Sequence, residues 1–163
     1  MNTATVPQLK NEIKHLDKGE LVELCLKLAK FKKENKELLS YLLFEADDEA
    51  NFIEIIKKDI TEEFESINRS SSYLIKKSSR RILKDVKKYV RYSKKLGTEI
   101  ELLIHFCQEL GQFESALSQN VVLGNMYRTQ VGVIRKSIAK VHEDLQYDYT
   151  DAFEALKEHP EYY

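Results

Sequence analysis

Ten cations stand close together between Tyr73 and Lys95: Lys76, Lys77, Arg80, Arg81, Lys84, Lys87, Lys88, Arg91, Lys94 and Lys95. One acid, Asp85, accompanies them, so the segment carries +9 in a chain whose formal net charge is −1. At the helical turn of 100° per residue the ten fall within an arc of about 140°. Leu74, Ile75, Ile82, Leu83, Val86, Tyr89, Val90, Tyr92 and Leu96 fill the opposite side. Roughly 20 residues at 1.5 Å each make this a continuous stripe about 30 Å long.

Three uses suit such a stripe. It can be the solvated face of a core helix, neutralised by the acidic segment before it. That segment holds Glu45, Asp47, Asp48, Glu49, Glu54, Asp59, Glu62, Glu63 and Glu65 against Lys57 and Lys58. Exposed pairs of this kind contribute only about 0–1 kcal/mol each. It can track the phosphates of RNA or DNA, with Tyr73 and Tyr92 near its edges. Or it can dock on an acidic protein partner or an anionic membrane surface.

Other chemistry is sparse. Glu101, His105 and Glu109 recur at i, i+4 and i+8, the spacing of one side of a helical metal site. The repeated Glu-x-x-His signature of di-iron bundles is absent, and a histidine hydrogen-bonded to carboxylates is the plainer reading. No Gly-rich phosphate loop, H-E-x-x-H or G-x-S-x-G occurs. The expectation is a chain with no catalytic residue, no metal ligand and no cofactor, hence not an enzyme. Serines 70–72, 78 and 79 could accept phosphate, which would reduce the positive stripe.

These residues must be carried by helices. The chain has 5 Gly and 2 Pro in 163 residues, too few turn-formers for an all-β fold. Apolar periodicity is helical almost throughout. A first short helix spans about Val6–Leu16, with Pro7 in its first turn. Asp17 and Glu20 form a capping box that opens a second, with Leu21, Leu24, Cys25, Leu28 and Phe31. A third carries Leu38, Leu39, Leu42, Leu43 and Phe44. The acidic helix runs over about Asp48–Ser66, the basic one to about Lys95, with Gly97 as its C′ residue. Thr98 and Glu101 then read as a second capping box. The helix they open is the most apolar of all and should lie at the centre. The last long helix is expected over Val121–Leu145, where Tyr127, Val131, Ile134, Ile138, Val141 and Leu145 are spaced 4-3-4-3-4 as an a/d seam. A short acidic helix and an aromatic end complete the chain.

Cys25 and Cys107 sit in apolar helical runs and read as buried, reduced thiols. The N-terminus lacks the basic-then-apolar pattern of a secretion signal. No run reaches the roughly 18 apolar residues of a membrane span, and a cytoplasmic location is expected.

Leu16, then "GELVELCLKL", then "KELLSYLLFE", then the acidic and basic helix pair form a pattern that resembles a bacterial all-helical family, a domain of unknown function. The resemblance extends over about two thirds of the chain. It implies an all-α fold and brings no activity or catalytic residue with it.

The sequence therefore predicts a single all-α domain over 1–163, with a short-helix part about 1–46 and a long-helix part about 47–163. Seven to eight helices in consecutive antiparallel hairpins would form an irregular bundle or short α-solenoid. The expected role is a non-catalytic interaction or adaptor protein that meets an unknown protein partner through the basic face of 73–95. The alternative is a nucleic-acid-binding accessory protein using the same face. The chain would be a monomer, or a homodimer through the 127–145 heptad seam.

Overall fold

The computed structural model describes residues 2–157, which hold nine α-helices, one π-helical turn at Tyr41–Glu45 and no strand. The helices are α1 (Val6–Ile13), α2 (Lys18–Phe31), α3 (Lys33–Ser40), α4 (Glu49–Glu65), α5 (Ser72–Ser93), α6 (Leu96–Gly111), α7 (Glu114–Gln119), α8 (Val121–Ile138) and α9 (Glu143–Lys157). The chain divides into two compact units, Met1–Phe44 and Glu45–Tyr163.

Polar side chains define where the helices start. The Asp17 carboxylate accepts from the Glu20 backbone N–H at 2.9 Å, and Glu20 accepts from the Asp17 N–H at 2.9 Å. Asp48 caps α4 through Asn51 N at 3.2 Å, and Ser71 caps α5 through Leu74 N at 3.3 Å. Asn120 caps α8 by accepting from both Val122 N and Leu123 N. Each such bond satisfies an N–H that the first helical turn leaves without a partner.

The larger unit is built around α6, as its apolarity predicts. Ile100, Leu102, Leu103, Phe106, Cys107 and Leu110 are buried, and α4, α5, α8 and α9 all pack against this helix. Phe64 of α4 meets Phe106 of α6 with ring centroids 5.5 Å apart. Truncating any of these large side chains to alanine leaves a cavity and costs about 2–5 kcal/mol.

Three boundaries differ from the sequence reading, each for a physical reason. Gly97 does not close α5. Lys94 takes the left-handed conformation there, with φ 58°, and its N–H bonds to the Val90 carbonyl. Gly97 and Thr98 lie inside α6, which starts at Leu96, so Thr98 is not a cap. It is buried, and its hydroxyl donates to Glu49. The last long helix is interrupted at Ala139–His142, which makes α8 and α9 separate helices. The part of its seam on α8 points inward: Tyr127, Val131 and Ile134 are buried, and the Tyr127 hydroxyl donates to the Leu156 carbonyl of α9 at 3.0 Å. The first half of the 127–145 seam is thus used within one chain, while Ile138 and Val141 are half-buried and Leu145 is exposed. Residues Glu114–Gln119 form the short α7.

The smaller unit holds α1, α2 and α3. None of these three helices contains a buried residue. Asn35 Nδ2 donates to the Leu28 carbonyl at 2.9 Å and ties the start of α3 to the end of α2. Cys25 is exposed, contrary to the expectation of a buried thiol, because α3 covers only part of the apolar perimeter of α2. Cys107, in α6, is buried as expected. Among the described residues no helix is long and apolar enough to cross a membrane.

Candidate functional site

α5 is 22 residues long and buries Ile75, Ser79, Ile82, Leu83 and Val86. That row, apolar apart from Ser79, whose full burial takes it out of the serines open to phosphate, fixes the rotation of the helix, so the cations must lie on its outer side. Eight of the ten predicted cations are on α5 itself; Lys94 and Lys95 stand in the turn after it.

The stripe has two edges with different partners. On the edge toward α4, Arg81 reaches Glu63 at 3.3 Å, and Lys95 Nζ reaches Glu49 at 2.8 Å and the Ala46 carbonyl at 3.4 Å. Glu49 also accepts from the Ser93 and Thr98 hydroxyls, so one carboxylate gathers three donors where α5 turns into α6. Lys88 pairs with Asp85 at 3.3 Å and lies 4.7 Å from the Tyr89 ring centroid. Lys76 sits 5.3 Å from the Tyr73 ring centroid.

On the other edge Arg80, Lys84, Lys87 and Arg91 recur at spacings of 4, 3 and 4. All four are exposed, and none makes an ion pair among the described residues. They form one wall, about 16 Å long at 1.5 Å per residue, of a groove of about 680 Å³. Its remaining lining comes from Leu83 and Val90 of α5, Glu99 and Leu103 of α6, and Val133 of α8. Glu99 is the single acid there, and it accepts from the Ser137 hydroxyl of α8 at 2.5 Å. The groove therefore combines an apolar floor with a row of four free cations.

A second cleft, about 300 Å³, lies among α4, α6 and α9, lined by Lys57, Glu101, His105, Gln108, Asp148 and Tyr149, with Ile104 and Ala152. The Glu101, His105 and Glu109 row is zipped to α4. Lys57 Nζ bonds Glu101 at 2.9 Å and Glu54 at 2.9 Å. The Thr61 hydroxyl donates to Glu109 at 2.9 Å and lies 2.8 Å from His105 Nε2. With the hydroxyl proton directed to Glu109, the Thr61 oxygen accepts from a protonated Nε2. Burial works against the charge on Lys57, but hydrogen bonds with Glu101 and Glu54 outweigh it and raise its pKa. Burial pushes the Tyr149 hydroxyl up, with Glu101 and Asp148 adding to the effect. Burial lowers the His105 pKa, against an opposing pull from Glu109. Among the described residues no group of three His, Cys, Asp or Glu side chains could hold a metal ion.

Sequence periodicity located the cationic wall but not the groove. Its far side, Val133, lies off the heptad spacing that marked α8, and only the packing of α8 on α6 brings it opposite α5. Lys57, Thr61 and Tyr149 were likewise invisible as partners of the α6 polar row. Comparison with family models, curated proteins and solved structures finds no match to this chain.

Proposed function

We propose that this chain is a non-catalytic interaction protein, and that the groove between α5 and α8 takes an acidic amphipathic segment of a partner protein. The observation that carries this reading is the unpaired row Arg80, Lys84, Lys87 and Arg91 beside an apolar floor of Leu83, Val90, Leu103 and Val133. A helix presenting apolar residues at i, i+3 or i+4 and i+7 fills such a floor, and carboxylates flanking that face meet the cations. Nucleic acid would use the same cations, but phosphates make no use of the apolar floor, so the protein partner is the better fit.

Selection of a displayed random peptide library on the full chain tests the idea. Acidic amphipathic peptides should be enriched, and their binding should be lost in Arg80→Glu/Lys84→Glu and weakened in Val133→Asp. Enrichment of unrelated sequences, or binding indifferent to these variants, would overturn it. A mobility shift of RNA or duplex DNA at low salt, abolished by Arg80→Glu/Lys84→Glu but not by Val133→Asp, would replace it with the phosphate-tracking reading.

A further inference from the structure

The groove between α5 and α8 has a direction. α5 and α6 are joined through Lys94 and Lys95 and pack side by side, so they run antiparallel. α6 and α8 run antiparallel too: Glu99 meets Ser137 at one end, and Gly111 lies against Tyr127 at the other. α5 and α8 therefore point the same way, and both C-termini lie at the end of the groove where Glu99 stands. Charge is graded along the same axis. Arg80 and Lys84 line one end with no acid in the lining there, whereas Arg91 shares the other end with Glu99. Among the described residues Glu99 makes no ion pair, and only its Oε2 has a hydrogen-bond partner, the Ser137 hydroxyl. Its Oε1 is free to meet an occupant.

We infer that the acidic segment docks in one direction, as a helix antiparallel to α5 and α8, with its first turn at Glu99 and its last turn toward Arg80, and that Glu99 is the residue that selects this direction. This polarity rests on the acidic-segment reading of the groove and adds to it. A helix carries roughly half a positive charge on the free N–H groups of its first turn and half a negative charge on the carbonyls of its last. In the inferred direction the N–H end meets Glu99, and the carbonyl end meets Arg80 and Lys84. Reversed, the carbonyl end would face the Glu99 carboxylate. An antiparallel helix also sets its dipole against those of α5 and α8. Arg91 of α5 and Arg135 and Lys136 of α8 stand in the last turns and soften those two ends, so Glu99 carries most of the preference. The carboxylates of the partner segment should therefore follow its first turn rather than stand in it.

A designed probe tests this: a blocked helical peptide of about 14 residues, long enough to span the cationic wall at 1.5 Å per residue. It has leucine at i, i+4, i+7 and i+11, with glutamates flanking that stripe after the first turn. One version carries a nitroxide at its N-terminus and a second at its C-terminus. On the isotope-labelled full chain, the N-terminal nitroxide should broaden the amide resonances of Arg91 and Glu99, and the C-terminal one that of Arg80. Glu99→Gln, which keeps an acceptor for Ser137, should weaken binding about 2- to 5-fold. A Glu99 that merely repels an acidic peptide gives the opposite sign, tighter binding of the glutamine variant, and that result overturns the inference. Reversed broadening, or equal broadening at both ends, overturns it as well. In these cases binding that is still lost in Arg80→Glu/Lys84→Glu leaves the acidic-segment reading standing. Absent binding, or binding indifferent to Arg80→Glu/Lys84→Glu, removes that reading and the polarity with it.

Discussion

Gly97, in the first turn of α6, lies so close to Tyr149 of α9 that a methyl group in place of its hydrogen would meet the phenolic oxygen at 2.8 Å. The close approach, not a turn, is what requires glycine here. Alanine at this position would gain helix propensity of up to ~1 kcal/mol but must displace the tyrosine ring. The expected result is strong coupling. Gly97→Ala alone should gain little or lose stability, whereas in a Tyr149→Phe background it should stabilise, with an interaction energy of about 0.5–3 kcal/mol. Urea denaturation of the four proteins in the cycle measures it, and simple additivity would refute the contact.

The same glycine shows what was legible in the sequence and what was not. Local rules located one helix start, the Asp17 and Glu20 capping box, and failed at Thr98 and Glu101; Asp48 and Ser71 cap α4 and α5 as well. Global apolarity located the core helix α6, whose Ile100 and Leu102 are wholly buried. Gly97 misled because a glycine after a basic helix fits a C′ position, while its actual constraint comes from Tyr149, 52 residues away in the chain. The stripe was legible in part, since pairing with the acidic helix before it is one of the uses read from the sequence. A helical wheel sees one arc, but tertiary packing gives Arg81 and Lys95 acids from α4 and gives Arg80 and Lys84 a groove.

Lys94 is the one non-glycine residue with a positive φ among the described residues. A left-handed conformation costs an L-residue with a Cβ roughly 1–2 kcal/mol, partly offset in a comparison with glycine by the latter's greater freedom when unfolded. Lys94→Gly is expected to raise stability by about 0.5–1 kcal/mol. A lowered urea midpoint would show that the lysine side chain holds the turn by some other means.

His105 links stability to pH. Burial, first of all, keeps its pKa below the ordinary 6.5; Glu109 and a hydrogen bond to the Lys57 backbone oppose the shift, and the Lys57 cation adds to it more weakly. In the unfolded chain the imidazole takes up a proton near pH 6.5, while the folded one resists. The stabilisation from His105 is therefore complete above that pH and is lost as pH falls through the folded pKa. Between about pH 7.5 and 5.5 the parent protein should lose more stability than His105→Gln. Parallel curves for the two proteins would show that His105 titrates alike in both states.

The two thiols should react on different schedules. Cys25 is exposed, whereas burial raises the Cys107 thiol far above its ordinary pKa. Thiolate is the reacting species, so the native chain should consume one equivalent of thiol reagent quickly. The second should appear only on unfolding. Rapid reaction of both would mean that α6 is not the closed centre of the bundle.

The two edges of the basic stripe should separate in a stability measurement. Lys95 lies against Glu49, a carboxylate with only 17% side-chain exposure that also holds the Ser93 and Thr98 hydroxyls. Lys95→Glu would replace one of the three donors around Glu49 by a second carboxylate, and the expected loss is about 1–2 kcal/mol. Arg81→Glu, in a pair exposed on both sides, should cost less than about 1 kcal/mol. Arg80→Glu, Lys84→Glu and Lys87→Glu break no ion pair and each relieves some repulsion within the row, so each should change stability by less than ~0.5 kcal/mol. Thermal and urea unfolding of the five variants distinguish the cases. If the groove-edge substitutions destabilise as much as Lys95→Glu, those cations already have partners in the folded chain. The groove would then be part of the scaffold, and the docking of an acidic segment would lose its main support.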